Sequence, residues 1–290
     1  MSNDKDSLIL PIFGFKNPGN ICYFNSLMQC ILNCKKIMYF LINVNQPKNE
    51  IQMYFKQRFS ELIDLYNLEK NEKFKLETSE FSLEILELLL KRYKRFNIYE
   101  QQSSSEFFLY LIEELGIENF FKIKHQINIH CKNCKNISSK NDESFHFEMF
   151  SDESDEYSVN IDNFIHSVNV IKDYKCDNCK TITNAVYEKT ALNISTYFVI
   201  LLNKYFKKIK IEYPDTFELS IQDTNLKQKC LWKNISQIEH LGNLDSGHYI
   251  SICRRLRNIF IFDDDKVTTC ESDCIKPTKN TYMIFYEKKY

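Results

Sequence analysis

The segment that decides the fold reads Gly-Phe-Lys-Asn-Pro-Gly-Asn-Ile-Cys-Tyr-Phe-Asn-Ser-Leu-Met-Gln and covers residues 14–29. Pro18 and Gly19 favour a turn, because proline fixes φ and glycine accepts conformations that other residues avoid. After the turn, apolar residues recur every three or four positions, which predicts a helix from Cys22 to Cys34. The turn therefore delivers Cys22 to the first turn of an apolar helix.

The position of Cys22 suggests a nucleophile. The N–H groups and the dipole of a helix N-terminus favour the thiolate, which is the reactive form of cysteine. The same N–H groups can stabilise an oxyanion, and the side-chain amide of Asn17 can add a further donor. An inert cysteine in a buried helix is the alternative interpretation of this segment taken alone.

A second segment, near the end of the chain, offers a base. Residues 240–250 read His-Leu-Gly-Asn-Leu-Asp-Ser-Gly-His-Tyr-Ile, a polar loop that leads His248 into a predicted strand, and Asp263 follows another short strand. A cysteine nucleophile needs a histidine, and the histidine needs a polar partner that fixes its tautomer. A lone histidine or a run of aspartates is usually structural, but Cys22, His248 and Asp263 together supply a complete thiol triad.

These segments resemble the ubiquitin-specific protease family. Residues 14–29 resemble its cysteine box, with Ile21 where threonine is common, and residues 240–249 followed by Phe-Asp-Asp at 262–264 resemble its histidine box. Three further segments match in the family's order: Gln-Gln-Ser-Ser-Ser-Glu-Phe-Phe at 101–108, Val-Ile-Leu-Leu-Asn-Lys-Tyr at 199–205 and Thr-Tyr-Met-Ile-Phe-Tyr at 281–286. The matches extend over nearly the whole chain.

The resemblance implies an α+β, papain-like cysteine protease fold with a helical thumb, a β palm and β fingers tipped by a zinc ribbon. It implies a deubiquitinating thiol protease that hydrolyses the peptide or isopeptide bond after the C-terminal Gly-Gly of ubiquitin. The implied catalytic residues are the nucleophile Cys22, the general base His248, Asp263 to orient the base, Asn17 in the oxyanion hole and Asp264 in support. The implied substrate-binding residues are Gln102, Ser103, Glu106, His240, Gly247 and Tyr249.

Ser103 departs from the family pattern, in which an aspartate at this place helps to grip the ubiquitin tail. Ser103 and Glu106 form a capping-box pattern for the following helix, so the change preserves local structure. Asn203 and Tyr205 depart from a Lys-Arg-Phe strand pattern, which we interpret as a packing change. Two alternatives to a deubiquitinase stay open: a protease for another ubiquitin-like modifier, and a catalytically silent ubiquitin-binding scaffold.

Four cysteines form two C-x2-C pairs, Cys131 with Cys134 and Cys176 with Cys179. Two such pairs can supply a tetrahedral zinc site, and four protein ligands leave no open coordination position, so the zinc would be structural. The same layout occurs in the fingers of the resembling family. His130 is interpreted as a neighbour of this site rather than a ligand. A zinc-ribbon module that binds nucleic acid is the alternative interpretation.

Composition limits the remaining classes of protein. The chain has 290 residues, with 38 Lys and Arg against 39 Asp and Glu and a net charge of −1, so it lacks the basic character of a nucleic-acid-binding protein. Its apolar runs are too short for a membrane helix and its polar N-terminus does not match a signal peptide, so we expect a monomeric intracellular protein, cytoplasmic or nuclear. Eleven cysteines without a secretory signal argue against a disulfide framework, and Cys270 and Cys274 are interpreted as ordinary thiols.

The hydrophobic pattern changes from helical to strand spacing after Gly116, which predicts helices first and a sheet afterwards. The acidic run at 152–156 is expected to form an exposed loop. Besides the helix that begins at Cys22, the predicted helices are Tyr54–Leu65, Leu83–Tyr93 and Glu106–Leu115, and the predicted strands lie at 123–129, 145–149, 199–205, 247–254, 259–262 and 281–287.

Combined with the resemblance, this order predicts one catalytic domain. The expected divisions are a lead-in at 1–13 and a catalytic domain at 14–287, with a thumb at about 14–118, fingers at 119–192 and a palm at 193–287.

Overall fold

The computed structural model describes residues 8, 10–69, 71–94, 96, 98–150, 157–158, 161–203, 211–223, 226–242, 246–255, 257–270 and 274–289. Within these residues the longer helices precede the sheets, which confirms the predicted α+β class. The acidic run at 152–156, Tyr205 and the loop residues 243–245 lie outside the described residues.

The first part of the chain is helical, and four of its five long described helices were predicted from apolar spacing. The fifth, Lys35–Asn43, follows the first helix after only two residues, and Ile37, Met38 and Leu41 bury one face of it. No glycine or proline marks this break, so the sequence predicted only the helix before it. The helices are α1 Cys22–Leu32, α2 Lys35–Asn43, α3 Glu50–Asn67, α4 Asn71–Arg92 and α5 Ser104–Glu114.

The second part of the chain is mainly β structure, with a short 3-10 turn at Glu118–Phe120 and a four-residue helix, α6, at Asp162–Ile165. The strands are β1 Ile123–Cys131, β2 Ile137–Ser144, β3 Phe147–Phe150, β4 Tyr157–Ser158, β5 His166–Lys175, β6 Ile182–Ile194, β7 Tyr197–Asn203, β8 Ile211–Glu212, β9 Thr216–Asp223, β10 Leu226–Gly242, β11 Gly247–Arg255, β12 Asn258–Asp263, β13 Lys266–Cys270 and β14 Thr281–Lys289.

These strands form two principal sheets. A four-stranded antiparallel sheet has the order β2-β1-β6-β5, and an eight-stranded sheet has the order β13-β12-β11-β10-β14-β7-β3, with β9 paired to β10. Pairing in the larger sheet is antiparallel except between β3 and β7, and β4 and β8 form a separate parallel pair. The sequence did not predict β2, β5, β6, β9, β10 or β13. Most residues of β2 and β5 are exposed, so neither strand has a buried apolar face to mark it in the sequence.

Helix α1 lies in the core, and all eleven of its residues are buried. It is joined to β11 by Arg255, which is 2% exposed and donates from Nη2 to the Gln29 backbone oxygen at 3.0 Å and to Gln29 Oε1 at 2.6 Å. Arg255 also donates to the Pro11 carbonyl at 3.1 Å, and its guanidinium lies 4.5 Å from the centre of the Phe262 ring. Gln29 in turn donates to the Phe13 carbonyl at 2.8 Å. These contacts tie the chain before α1, the helix and the sheet together.

Cys270 and Cys274 lie side by side, with Cα atoms 6.4 Å apart, a separation that a disulfide can bridge. The interpretation of both as ordinary thiols stays a prediction.

Among the described helices, none combines the length and the apolar character that a membrane span requires.

The N-terminus of α3 generates a stability prediction. The Asn49 side chain accepts from Gln52 N at 2.8 Å and donates to the Glu114 backbone oxygen and to Glu114 Oε2, both at 2.9 Å. Asn49→Ala removes the cap and one donor to a nearly buried carboxylate, and we expect it to lower the free energy of unfolding by about 1–2 kcal/mol. Urea denaturation measures this free energy, and Asn45→Ala, which changes an exposed residue, is the control. Equal unfolding midpoints for the two variants would contradict the role of this cap.

Candidate active site

Cys22 is the first residue of α1 and is 4% exposed. The turn before it is closed by Asn17, whose Oδ1 accepts from Gly19 N at 3.1 Å and from Ile21 N at 3.2 Å. The amide of Asn17 is thereby held in one orientation beside the helix N-terminus. Asn17 therefore lies directly before the helix that Cys22 begins.

His248 lies between Cys22 and Asp263. Its Nε2 is 2.6 Å from Asp263 Oδ1. Since Nε2 faces the aspartate, Nδ1 is the ring nitrogen left for the thiol. The interaction with the Cys22 side chain, together with the Asp263 carboxylate, outweighs partial burial and raises the pKa of His248 to about 9. The three predicted triad residues are thus brought together in the predicted order.

Asp264 is held by two amides. Its Oδ2 accepts from Asn17 Nδ2 at 2.9 Å, and its Oδ1 accepts from Asn25 Nδ2 at 2.8 Å. The carboxylate lies 3.9 Å from His248 Nε2, beyond hydrogen-bonding distance. Asp264 therefore contacts the predicted oxyanion residue directly and the histidine only through its charge.

The backbone around Asp264 fits closely against the start of the Cys22 segment. Phe15 N donates to the Asp264 carbonyl at 2.9 Å, and Asp264 has a φ of +53°. A Cβ atom on Gly14 would lie 2.4 Å from the Asp264 carbonyl oxygen and 2.6 Å from Asp265 Cα, so only glycine fits here. This contact sets the distance between the cysteine segment and the aspartates.

A cavity of about 700 Å³ lies between α5 and the larger sheet. Stacked rings form one wall, since His240 and Tyr249 have ring centroids 4.4 Å apart and Tyr282 lies 5.5 Å from Tyr249. Five of the six predicted substrate-binding residues line this cavity; they are Gln102, Ser103, Glu106, His240 and Tyr249.

Ser103 caps α5 as predicted, because its Oγ accepts from Glu106 N at 3.3 Å. The same hydroxyl lies 2.9 Å from Ser105 Oγ and 3.1 Å from the Tyr282 hydroxyl, and Ser105 Oγ is 2.7 Å from that hydroxyl. Three neutral hydroxyls therefore occupy the place where the resembling family has a carboxylate.

Gln101 and Asn25 lie within the sequence motifs at 101–108 and 14–29, but neither had a predicted role. Gln101 donates from Nε2 to the Gly247 carbonyl at 2.5 Å and accepts the Gly247 N–H at 2.9 Å. Asn25 follows Cys22 by three residues on α1 and holds Asp264. Their positions inside the motifs were the available signal, but their partners are 146 and 239 residues away in sequence.

The four predicted zinc ligands converge at one end of the smaller sheet. Cys131 and Cys179 have Sγ atoms 3.9 Å apart, Cys134 and Cys176 have Sγ atoms 3.7 Å apart, and all four sulfurs lie within 4.8 Å of one another. Tetrahedral zinc–thiolate bonds of about 2.3 Å place sulfurs about 3.8 Å apart, so the cluster can hold such an ion. His130 is 3.3 Å from Glu188 and is not one of the converging side chains.

Side-chain amides support this cluster from outside. Asn133 donates to Cys179 Sγ at 3.6 Å, and Asn178 donates to Cys134 Sγ at 3.5 Å, so each pair receives a donor from the other. Thr181 also hydrogen-bonds Cys179 and lowers the pKa of that thiol to about 6. Donors to sulfur stabilise thiolates, which are the form that binds metal.

Comparison with known proteins shows which family and which individual proteins the chain is similar to. A model of the ubiquitin carboxyl-terminal hydrolase family matches residues 13–286. The probable ubiquitin carboxyl-terminal hydrolase 16 of Schizosaccharomyces pombe is 21% identical over 326 residues, and the match covers 100% of this chain and 69% of that protein. The ubiquitin carboxyl-terminal hydrolase 12 of Salmo salar is 20% identical, and the match covers 96% of this chain and 90% of that protein.

Solved structures share the fold. The SAGA DUB module of Ubp8, Sgf11, Sus1 and Sgf73 bound to monoubiquitin contains a chain that matches with a TM-score of 0.76 at 18% identity, covering 96% of this chain and 69% of that one. The same module bound to ubiquitin aldehyde gives a TM-score of 0.75 at 17% identity, with coverage of 96% and 70%. The predicted fold is confirmed by this likeness.

The charge balance at His248 generates a titration prediction. NMR of the histidine rings, assigned with His248→Gln, should find a pKa of about 9, and Asp263→Asn should lower it because one source of negative charge is lost. Because the pKa of His248 in the folded state exceeds the unfolded value of about 6.5, protonation of His248 stabilises the folded protein. This stabilisation is complete below about pH 6.5 and is lost as the pH rises through about 9. Asp64→Asn, an exposed change on α3, is the control. An unchanged His248 titration in Asp263→Asn would contradict the pairing.

Proposed function

The chain belongs to the ubiquitin carboxyl-terminal hydrolase family, and on that premise we propose that it is an active deubiquitinating thiol protease. The observation that carries the proposal is the position of His248, which is hydrogen-bonded to Asp263 at 2.6 Å and interacts with Cys22 strongly enough to raise its pKa. A silent scaffold has no need of this arrangement, and all three members are present. Ubiquitin is the proposed partner because solved relatives of the same fold are bound to it.

In the proposed acylation step, the Cys22 thiolate attacks the carbonyl carbon of the last residue of the modifier. The Asn17 amide keeps one hydrogen that Asp264 does not bind, and this hydrogen and the Cys22 backbone N–H are the proposed donors to the oxyanion. The His248 imidazolium then donates its proton to the leaving amine. The C–N bond breaks, and the modifier remains joined to Cys22 as a thioester.

Deacylation reverses the role of the histidine. Neutral His248 accepts a proton from water as the water oxygen attacks the thioester carbonyl, and the C–S bond then breaks. The immediate product is the modifier's carboxylic acid, which loses its remaining proton to solvent and leaves as the carboxylate. The Cys22 thiolate beside an imidazolium is then restored as the starting state. Asp263 holds the ring in one tautomer through both steps.

The hydroxyl group cluster at Ser103 favours a second candidate, a protease for another ubiquitin-like modifier. The cavity retains Glu106 and the stacked His240 and Tyr249, but it presents neutral hydroxyls where the resembling family has a carboxylate. Electrophilic probes built on the C-termini of ubiquitin and of its relatives separate the two candidates, because only the true modifier should label Cys22 rapidly.

Cys22→Ala should abolish hydrolysis of a ubiquitin C-terminal fluorogenic substrate, because no other group can form the thioester. The variant should still fold and bind ubiquitin, which calorimetry measures. Cys230→Ala is a thiol control on β10, away from the site, and should keep its activity. Wild-type levels of hydrolysis in Cys22→Ala would rule out the proposed nucleophile.

We propose further that Cys131, Cys134, Cys176 and Cys179 hold a structural zinc ion that closes the tip of the smaller sheet. The sulfur spacing supports this, as do the four protein donors, which leave no open position for chemistry. The ion would therefore stabilise the fold without taking part in hydrolysis.

Purified protein should contain about one zinc per chain, and Cys134→Ser should lose most of it together with thermal stability. Elemental analysis and thermal denaturation measure both effects. Lys132→Ala changes an exposed residue in the same turn and should alter neither quantity. A metal-free wild-type protein with unchanged stability would overturn the zinc assignment.

A further inference from the structure

The segment Ile98–Ser104, just before and at the start of α5, contacts both halves of the proposed catalytic site. On one side it meets the histidine strand, because the Gln101 side-chain amide exchanges two hydrogen bonds with the backbone of Gly247, at 2.5 Å and 2.9 Å. Gly247 immediately precedes His248 and begins β11. The Gln101 amide therefore gives Gly247 the same pair of hydrogen bonds, one donated and one accepted, that a residue on a neighbouring antiparallel strand would give.

No described strand takes this place. β12 pairs with β11 only from Ser251 onward, while β10 covers the opposite edge through the pairing of Gly242 with Gly247. A Cβ on Gly247 would lie 2.2 Å from His240 Nε2, so this residue is also wedged against the adjacent strand. Gln101 thus hydrogen-bonds the edge of β11 that no described strand covers, at the residue next to His248.

On its other side the same segment meets the nucleophile. Asn20 N donates to the Ile98 carbonyl at 2.9 Å, and Asn20 Nδ2 donates to the Tyr99 carbonyl at 2.6 Å. The buried hydroxyl of Ser104 donates to the Tyr23 carbonyl at 3.1 Å. These contacts bracket Cys22 from the residue two before it to the residue after it.

We propose that Gln101 is a positioning residue, which fixes the separation of Cys22 and His248 by clamping Gly247 to the segment that already holds the Cys22 turn. The role rests on the proposed hydrolase function and extends it to a residue that need not contact the scissile bond. A primary amide suits the task because it offers one donor and one acceptor in a plane, as a peptide group does. Neither alanine nor glutamate can make both bonds.

Loss of Gln101 should therefore disturb the alignment of Cys22 with His248 and leave substrate binding largely unchanged. Without the clamp, the first residues of β11 are free to move away from α1, which weakens the contact between His248 and Cys22. Misplacement of reacting groups lowers the rate of the chemical step. Because the contact with Cys22 is the largest influence that raises the pKa of His248 to about 9, a looser contact should also lower that pKa.

The test compares Gln101→Ala and Gln101→Glu with wild type on a ubiquitin C-terminal fluorogenic substrate across pH. We expect kcat to fall about tenfold or more with KM changed less than twofold, and the alkaline limb of the profile to move from about pH 9 towards neutrality. Gln101→Glu fills the same space but sets a carboxylate oxygen against the Gly247 carbonyl, so it should behave like Gln101→Ala. Gln57→Ala, on the exposed face of α3, is the matched control and should match wild type in both parameters.

A raised KM with unchanged kcat and an unmoved alkaline limb would overturn the proposal, since it would make Gln101 a binding residue. Alkylation of Cys22 by iodoacetamide, followed by mass spectrometry over the same pH range, repeats the comparison without any ubiquitin substrate. If wild type is alkylated at Cys22 but hydrolyses nothing, the proposed function fails, while the comparison with Gln101→Ala still tests the positioning role. An identical pH dependence of alkylation in wild type and Gln101→Ala would then refute that role.

Discussion

The arrangement of the site depends on one buried contact, between Arg255 of β11 and Gln29 of α1. A buried guanidinium has to find acceptors for its donors, and desolvation lowers the pKa of Arg255 for the same reason. Nη1 donates to the Pro11 carbonyl and Nη2 to the backbone and side chain of Gln29, while Nε has no hydrogen-bond partner among the described residues, and these bonds hold the helix against the strand. Cys22 is at the other end of that helix and His248 near the start of that strand, and their meeting follows from this packing.

The positions of glycine and of non-glycine residues show that this chain tolerates a positive φ more readily than a steric clash with a Cβ atom. The chain has only five glycines, and the turns at the two C-x2-C cysteine pairs place Lys135 and Lys180 at φ values of +62° and +57°, where glycine would be easier. A lysine there costs about 1–2 kcal/mol of backbone strain, which a folded domain tolerates. At Gly14 and Gly247 the obstacle is an atom within 2.4 Å of any added Cβ, which no conformational change at that residue removes. At these two positions glycine is required because another part of the chain touches the backbone, whereas Gly116 and Gly242 have φ values of +63° and +101° that favour glycine by themselves.

The sequence predicted those parts of the site that depend on local chemistry. A cysteine at a helix start, a histidine entering a strand and paired C-x2-C turns are each recognisable within a few residues, and the structure brings each group together. Gln101 and Asn25 escaped because their function lies in contacts across the fold, and β5 escaped because both of its faces are exposed. Helix α2 escaped for a different reason, since nothing in the sequence separates it from α1.

Ser103, which replaces the aspartate of the family pattern, affects the recognition of the modifier and not the proposed catalytic residues. The proposed catalytic geometry involves Cys22, His248 and Asp263, none of which hydrogen-bonds Ser103. The Ser103 hydroxyl is instead engaged by Glu106 N and the Tyr282 hydroxyl. Exchange of a carboxylate for a hydroxyl at this place therefore leaves the proposed chemistry intact while removing a negative charge from the cavity wall. A change in the preferred modifier would arise there, in the cavity between α5 and the sheet, and would leave the reaction itself unaltered.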